Sequence, residues 1–154
     1  MASRSSESVP GLDRVLTYRL HLLHKLTDQE SQRAYLAGAG LSLSDSRCLG
    51  AVGAFGPLSV NDLARLALLD KGQASRAAQS LVVKGLLLKE DSLQDGRGVV
   101  LTLSKQGRTT WKRIMALIQQ RNTSIFGCLT DGEQAQLSAL FDRLIAHARS
   151  NASE

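Results

Sequence analysis

A mainly α fold carrying one small β-wing is what this sequence predicts, and three observations predict it. Apolar residues recur at helical spacing through most of the 154 residues. The stretch from 59 to 108, SVNDLARLALLDKGQASRAAQSLVVKGLLLKEDSLQDGRGVVLTLSKQGR, reads as two short capped helices followed by two branched strands around a turn at Asp95, Gly96 and Arg97. The positive charge is concentrated there. Residues 1–70 hold seven Lys/Arg and seven Asp/Glu. Residues 71–108 hold Lys71, Arg76, Lys84, Lys89, Arg97, Lys105 and Arg108 against Glu90, Asp91 and Asp95, a net +4 of the chain's +5. The layout is a winged helix-turn-helix flanked by N- and C-terminal helices, and a basic segment coinciding with it is the electrostatic footprint of a DNA-binding module.

Each element follows from local pattern. Leu12, Val15, Leu16, Leu20, Leu22, Leu23 and Leu26 share one stripe of a long first helix that ends before the Gly-Ala-Gly at 38–40. Ser44 is placed to cap a second helix with Cys48, Leu49, Val52 and Phe55 on its apolar side, stopped by Gly56 and Pro57. Ser59, with Asp62 three residues later, opens a third helix that buries Val60, Leu63, Ala64 and Ala67. Asp70 with Gln73 caps a fourth, in which Ala74, Ala77, Ala78, Leu81 and Val82 recur at i, i+3, i+4, i+7 and i+8 and therefore pack inward. Gly85 ends that helix, residues 86–90 and 99–103 read as strands, and SLQDGRG is the loop between them. From Ser104 a long helix carries Trp111, Ile114, Met115, Ile118, Ile125 and Phe126. Thr130 and Glu133 then box the start of a last helix bearing Leu137, Leu140, Phe141, Leu144, Ile145 and Ala148.

These elements group into a single domain over 1–154, with a DNA-binding lobe at 44–103 and dimerisation helices at 12–37 and 104–148. The end helices have little globular material to bury them, so a two-fold homodimer is expected to cover their apolar sides. Cys48 and Cys128 are too few for a disulfide scaffold, no secretory-signal order opens the chain, and no apolar run approaches the ~20 residues of a membrane helix. A soluble, cytoplasmic protein with no membrane partner is expected. No metal-ligand cluster, phosphate loop or nucleophile motif stands out, so neither an enzyme nor a cofactor is expected.

The outer face of the fourth helix is Lys71, Gly72, Gln73, Ser75, Arg76 and Gln79, small, polar or cationic groups rather than the usual Glu/Lys mixture of a solvated helix. Gly72 lets the helix N-terminus approach a phosphate, Arg76 suits a guanine edge and Gln79 an adenine edge. Ser59 is a further DNA-contact candidate at the start of the preceding helix. Arg97 at the wing tip suits the narrow minor groove, with Asp95 placed to hold its guanidinium. A winged helix that binds protein instead would show an apolar face here.

Arg19 falls near the centre of the first helix's leucine stripe, and a cation facing inward needs an anion. Either Arg19 and the flanking Tyr18 hold an anionic effector, or Arg19 pairs with an acid such as Asp45, or its guanidinium snorkels to water. His21 and His24 have metal-ligand spacing but no third ligand near them in sequence, so no metal is assigned. Cys48 reads as a small core residue. Cys128, at a helix junction, leaves a thiol-based redox sensor open as an alternative.

With these elements placed, the chain resembles the multiple antibiotic resistance regulator (MarR) family over residues 12–148. The resemblance is most specific at GPLSVNDLA (56–64), DKGQASRAAQSLVVKGLL (70–87) and DGRGVVLTLSKQG (95–107). There the family's Asp-x-Arg wing, branched strand and helix-opening Gly correspond to Asp95 to Arg97, Val99 to Leu101 and Gly107, while Ser104 stands for the usual Thr and Gly98 for a common second Arg. The resemblance implies a homodimeric regulator, most often a repressor, that places two recognition helices in successive major grooves of a palindrome. It also implies release by a small molecule, often an aromatic or heterocyclic acid.

Overall fold

The computed structural model describes residues 11–92 and 98–153. Among these residues there are six helices and one two-stranded sheet: α1 (Leu16–Ala39), α2 (Leu43–Phe55), α3 (Val60–Ala67), α4 (Lys71–Val83), β1 (Leu87–Asp91), β2 (Val99–Leu103), α5 (Lys105–Phe126) and α6 (Asp131–Asn151). The mainly α fold with a small β-wing is therefore as the sequence predicts. The chain forms two compact units, the first reaching Met115 and the second beginning at Ala116.

In the first unit α2, α3 and α4 pack around Cys48, Leu49, Leu63, Ala74 and Leu81, all essentially free of solvent, with Leu87 and Leu101 of the wing completing the core. Helix starts are set by side chains that satisfy free backbone N–H groups. The Ser59 hydroxyl accepts from Asp62 N at 3.1 Å, and Asp70 and Gln73 form a reciprocal box, with Gln73 N to Asp70 Oδ1 at 2.7 Å and Asp70 N to Gln73 Oε1 at 3.2 Å. The second helix is capped by Ser42 rather than Ser44. Its hydroxyl accepts from Asp45 N at 3.1 Å, so the helix begins one residue after Ser42. Phe55 also departs from expectation: it sits at the last turn of α2 and is exposed, because Gly56 ends the helix before the core closes over it.

At the end of α4, Gly85 takes a left-handed φ of 74°. Gly85 N donates to Val82 O at 3.0 Å and Leu86 N to Leu81 O at 2.9 Å. This pairing satisfies the helix's last carbonyls and buries Leu86 against the core, which is why the first strand starts at Leu87 and not Leu86. The strands pair antiparallel from Leu87↔Leu103 to Asp91↔Val99. Leu58 exchanges two backbone hydrogen bonds with Leu101, 3.2 and 2.7 Å, and so adds a third edge to the wing's base.

Two close approaches seat α5 on this unit. The Ser104 hydroxyl accepts from Gly107 N at 2.9 Å and donates to Gly85 O at 2.6 Å, while Ser104 N donates to Leu86 O at 3.1 Å. Gly107 lies so close to the Leu86 carbonyl that a side-chain carbon there would overlap backbone. One helical turn on, the Trp111 indole donates to Gly50 O at 3.2 Å and fills the notch left by Gly53.

The second unit is a helical hairpin. Thr130 and Glu133 box the start of α6 as expected, with Glu133 N to Thr130 Oγ1 at 3.2 Å and Thr130 N to Glu133 Oε2 at 3.0 Å. Gln134 Nε2 donates to both Phe126 O and Leu129 O at 3.1 Å, closing the turn. Leu140, Phe141, Leu144 and Ile145 of α6 remain exposed. In the first unit the N-terminal half of α1 is bare in the same way, including Leu16, Leu20 and Leu23, as is Leu12 just before the helix. Only its C-terminal half docks on α2, through buried Ser31 and Tyr35, through Leu43 N donating to Gln32 Oε1 at 2.6 Å, and through Arg47 paired with Asp28 at 2.9 Å.

Candidate nucleic-acid interface

The α4 helix exposes the residues that the sequence nominates for DNA contact. Ala74, Ala77, Ala78 and Leu81 are buried, and Lys71, Gly72, Gln73, Ser75, Arg76 and Gln79 are all exposed. The two faces exist because the apolar positions follow the 3.6-residue period, which leaves the polar ones on the opposite side. The Asp70 cap makes α4's start a rigid edge, yet the same contact uses Gln73 Oε1, so Gln73 serves the cap as well as the surface. The Arg76 guanidinium folds back toward Gly72, where a side-chain carbon would come within 3.2 Å of its Nη1. Gln79 is tied to the wing, its Oε1 accepting from Lys89 Nζ at 3.3 Å. Ser59 is half-buried and its hydroxyl is engaged in the α3 cap. Asp95 and Arg97 lie outside the described residues.

Tyr18 and Arg19 share the exposed half of α1. The pairing of Arg19 with Asp45 is not formed. Asp45 is buried at the start of α2, where its Oδ2 accepts from Ser80 Oγ at 2.8 Å and from Lys84 Nζ at 3.0 Å. That cluster was missed in the sequence because its members stand 35 and 39 residues apart. His24 stands 3.2 Å from Asp28, itself bonded to Arg47, and among the described residues no group of three or more His, Cys, Asp or Glu is arranged to hold a metal ion. No helix among them is long and apolar enough to cross a membrane.

The two thiols differ sharply. Burial, with the Asp45 carboxylate adding to it, pushes the Cys48 thiol up to about 12, so it stays protonated and unreactive, whereas Cys128 is exposed. Iodoacetamide at neutral pH is expected to label Cys128 and spare Cys48 in the folded protein, as read by mass spectrometry of a digest. Equal labelling would show that α2 opens in solution.

Comparison with known proteins agrees with this geometry. A model of the MarR family matches residues 39–98, from the last residue of α1 to the residue before β2. The HTH-type transcriptional regulator BilQ of Clostridium symbiosum is 27% identical over 86 residues, 56% of this chain and 60% of that protein, so the match spans less than two thirds of that regulator. The HTH-type transcriptional repressor Rv2887 of Mycobacterium tuberculosis is 26% identical over 132 residues, 86% of this chain and 94% of that one. The solved structure of Rv2887 in complex with salicylic acid superposes with a TM-score of 0.69, covering 86% of this chain and 97% of its own. A MarR/EmrR family regulator from Acinetobacter shares the fold at a TM-score of 0.82 and 20% identity, over 92% and 99% of the two chains. Sequence relatives and fold thus converge: over residues 39–98 the chain is similar to the MarR family, and it shares the fold of that family's winged helix-turn-helix regulators.

Proposed function

We propose that the protein is a homodimeric, sequence-specific repressor that binds a palindromic operator and is released by a small aromatic or heterocyclic acid. The observation that carries the DNA reading is the α4 face: an amphipathic helix in which every fully buried position is Ala or Leu and the outward ones include Ser75, Arg76 and Gln79, which have the donors and acceptors to read base edges. A protein-docking winged helix would need an apolar surface at the same place. The bare leucine faces of α1 and α6 support the homodimer, because a second copy would cover them and bring two α4 helices to one duplex.

The effector reading is supported by the salicylic acid complex of Rv2887 and by the cation and phenol of Arg19 and Tyr18, which a covering partner would enclose. Such an acid must bind the DNA-incompetent arrangement better, typically by ~1–3 kcal/mol of coupling. The cytoplasm is the compartment this activity requires.

The test is gel-shift binding to DNA flanking the protein's own gene at two salt concentrations with unrelated competitor, followed by salicylate titration. Retarded complexes that survive competitor and dissolve with salicylate are expected; binding no stronger than to competitor would refute the reading for that site. Arg76→Ala is expected to weaken operator binding by about 1–3 kcal/mol, and Arg97→Ala to weaken binding more evenly across sequences. Full affinity in both variants would remove α4 and the wing from the interface.

A further inference from the structure

The α4 helix presents long polar groups outward but is held inward mainly by small ones. Its fully buried positions are Ala74, Ala77, Ala78 and Leu81. Methyl groups interlock shallowly, so a face built from them resists rolling and sliding less than one built from Leu and Ile ridges. A roll of about 20° moves a group roughly 6 Å from the helix axis by about 2 Å, enough to break bidentate contact with a base. Directional bonds supply the missing constraint. Asp45 is only 6% exposed, and its Oδ2 accepts at 2.8 Å from Oγ of Ser80 in the last turn of α4 and at 3.0 Å from Nζ of Lys84, the residue that ends the helix.

The same side of α4 continues through Ala77, Arg76 and Gln73 along a polar cleft of about 410 Å³ that Ser42, Ser44 and Asp45 line from the α2 side. A buried carboxylate is a poor choice for stability alone, since an apolar pair of similar volume commonly does as well. What it adds is orientation.

We propose that Asp45 is the positioning residue of the DNA-reading helix: by holding Ser80 and Lys84 it sets the roll at which Ser75, Arg76 and Gln79 meet the base edges. This rests on the DNA-binding reading above, and the experiment separates the two. A site is selected by the full-length wild-type protein from a random duplex library, and affinities for that site and for a random duplex of equal length are measured by fluorescence anisotropy. A wild type that selects nothing overturns the DNA reading and this proposal with it.

Given selection, Asp45→Asn and Ser80→Ala are expected to lower the preference for the selected site about tenfold or more, the worth of one well-placed base contact, with no fall in affinity for random DNA. Lys84→Arg, which keeps a cationic donor, is expected to retain the preference. An unchanged preference in Asp45→Asn and Ser80→Ala, or a proportional loss of both affinities, would overturn the positioning role. If Asp45→Asn does not fold, Ser80→Ala decides, because it removes one bond and no charge.

Discussion

Replacing Leu144 by Glu is expected to halve the mass of the particle in solution and to weaken operator binding by ~10²-fold or more. Leu144 is 62% exposed in α6 beside Leu140, Phe141 and Ile145, and Leu16 is 77% exposed in α1. On the surface of a monomer a substitution at such a position changes stability little, within about 0.5 kcal/mol. At the centre of an interface between copies it would leave a carboxylate buried without a partner, which association cannot tolerate. In the proposed homodimer the loss in DNA affinity would follow because two α4 helices on one particle would bind the second half-site as an intramolecular event, which separate protomers could not. Light scattering after size exclusion and anisotropy on the same sample check both parts. An unchanged mass would mean that the apolar faces of α1 and α6 serve something other than a second copy.

Gly107→Ala is expected to cost about 3 kcal/mol, the upper part of the range for overpacked sites, and to lower Tm by roughly 10 °C. The new Cβ would overlap the Leu86 carbonyl oxygen and its carbon, which are backbone and cannot rotate aside. That carbonyl is held by Ser104 N, and Ser104 in turn caps α5 and grips Gly85 O, so moving one group disturbs three hydrogen bonds. Against this, Ala gains about 1 kcal/mol of helix propensity over Gly. Gly132→Ala is the matched control, since a Cβ there meets nothing within 4 Å and only the propensity gain applies. Equal melting temperatures for the two variants, read by circular dichroism, would disprove the interlock.

The features legible from the residues alone are those decided within about one helical turn. The Ser59 cap, the Asp70/Gln73 and Thr130/Glu133 boxes, and the alanine face of α4 all stand where spacing placed them, because at each of these capped starts the side chain and the backbone N–H it satisfies are three residues apart. The exposed polar face of α4 was legible for the same reason, as the complement of a periodic apolar pattern. Errors arose where two local candidates competed, as with Ser42 and Ser44, or where burial depended on a distant element, as with Phe55.

The order of elements, the amphipathic pattern of α4 and the concentration of charge around it were thus dictated by short-range rules that a linear chain displays openly. The notch in which Trp111 meets Gly50, 61 residues away, the interlock of Gly107 with Leu86, and the capture of Asp45 by Ser80 and Lys84 were decided by tertiary packing. Such contacts form only when helices distant in sequence close on one another. Which buried acid meets which cation is set by the geometry of that closure, and not by spacing along the chain.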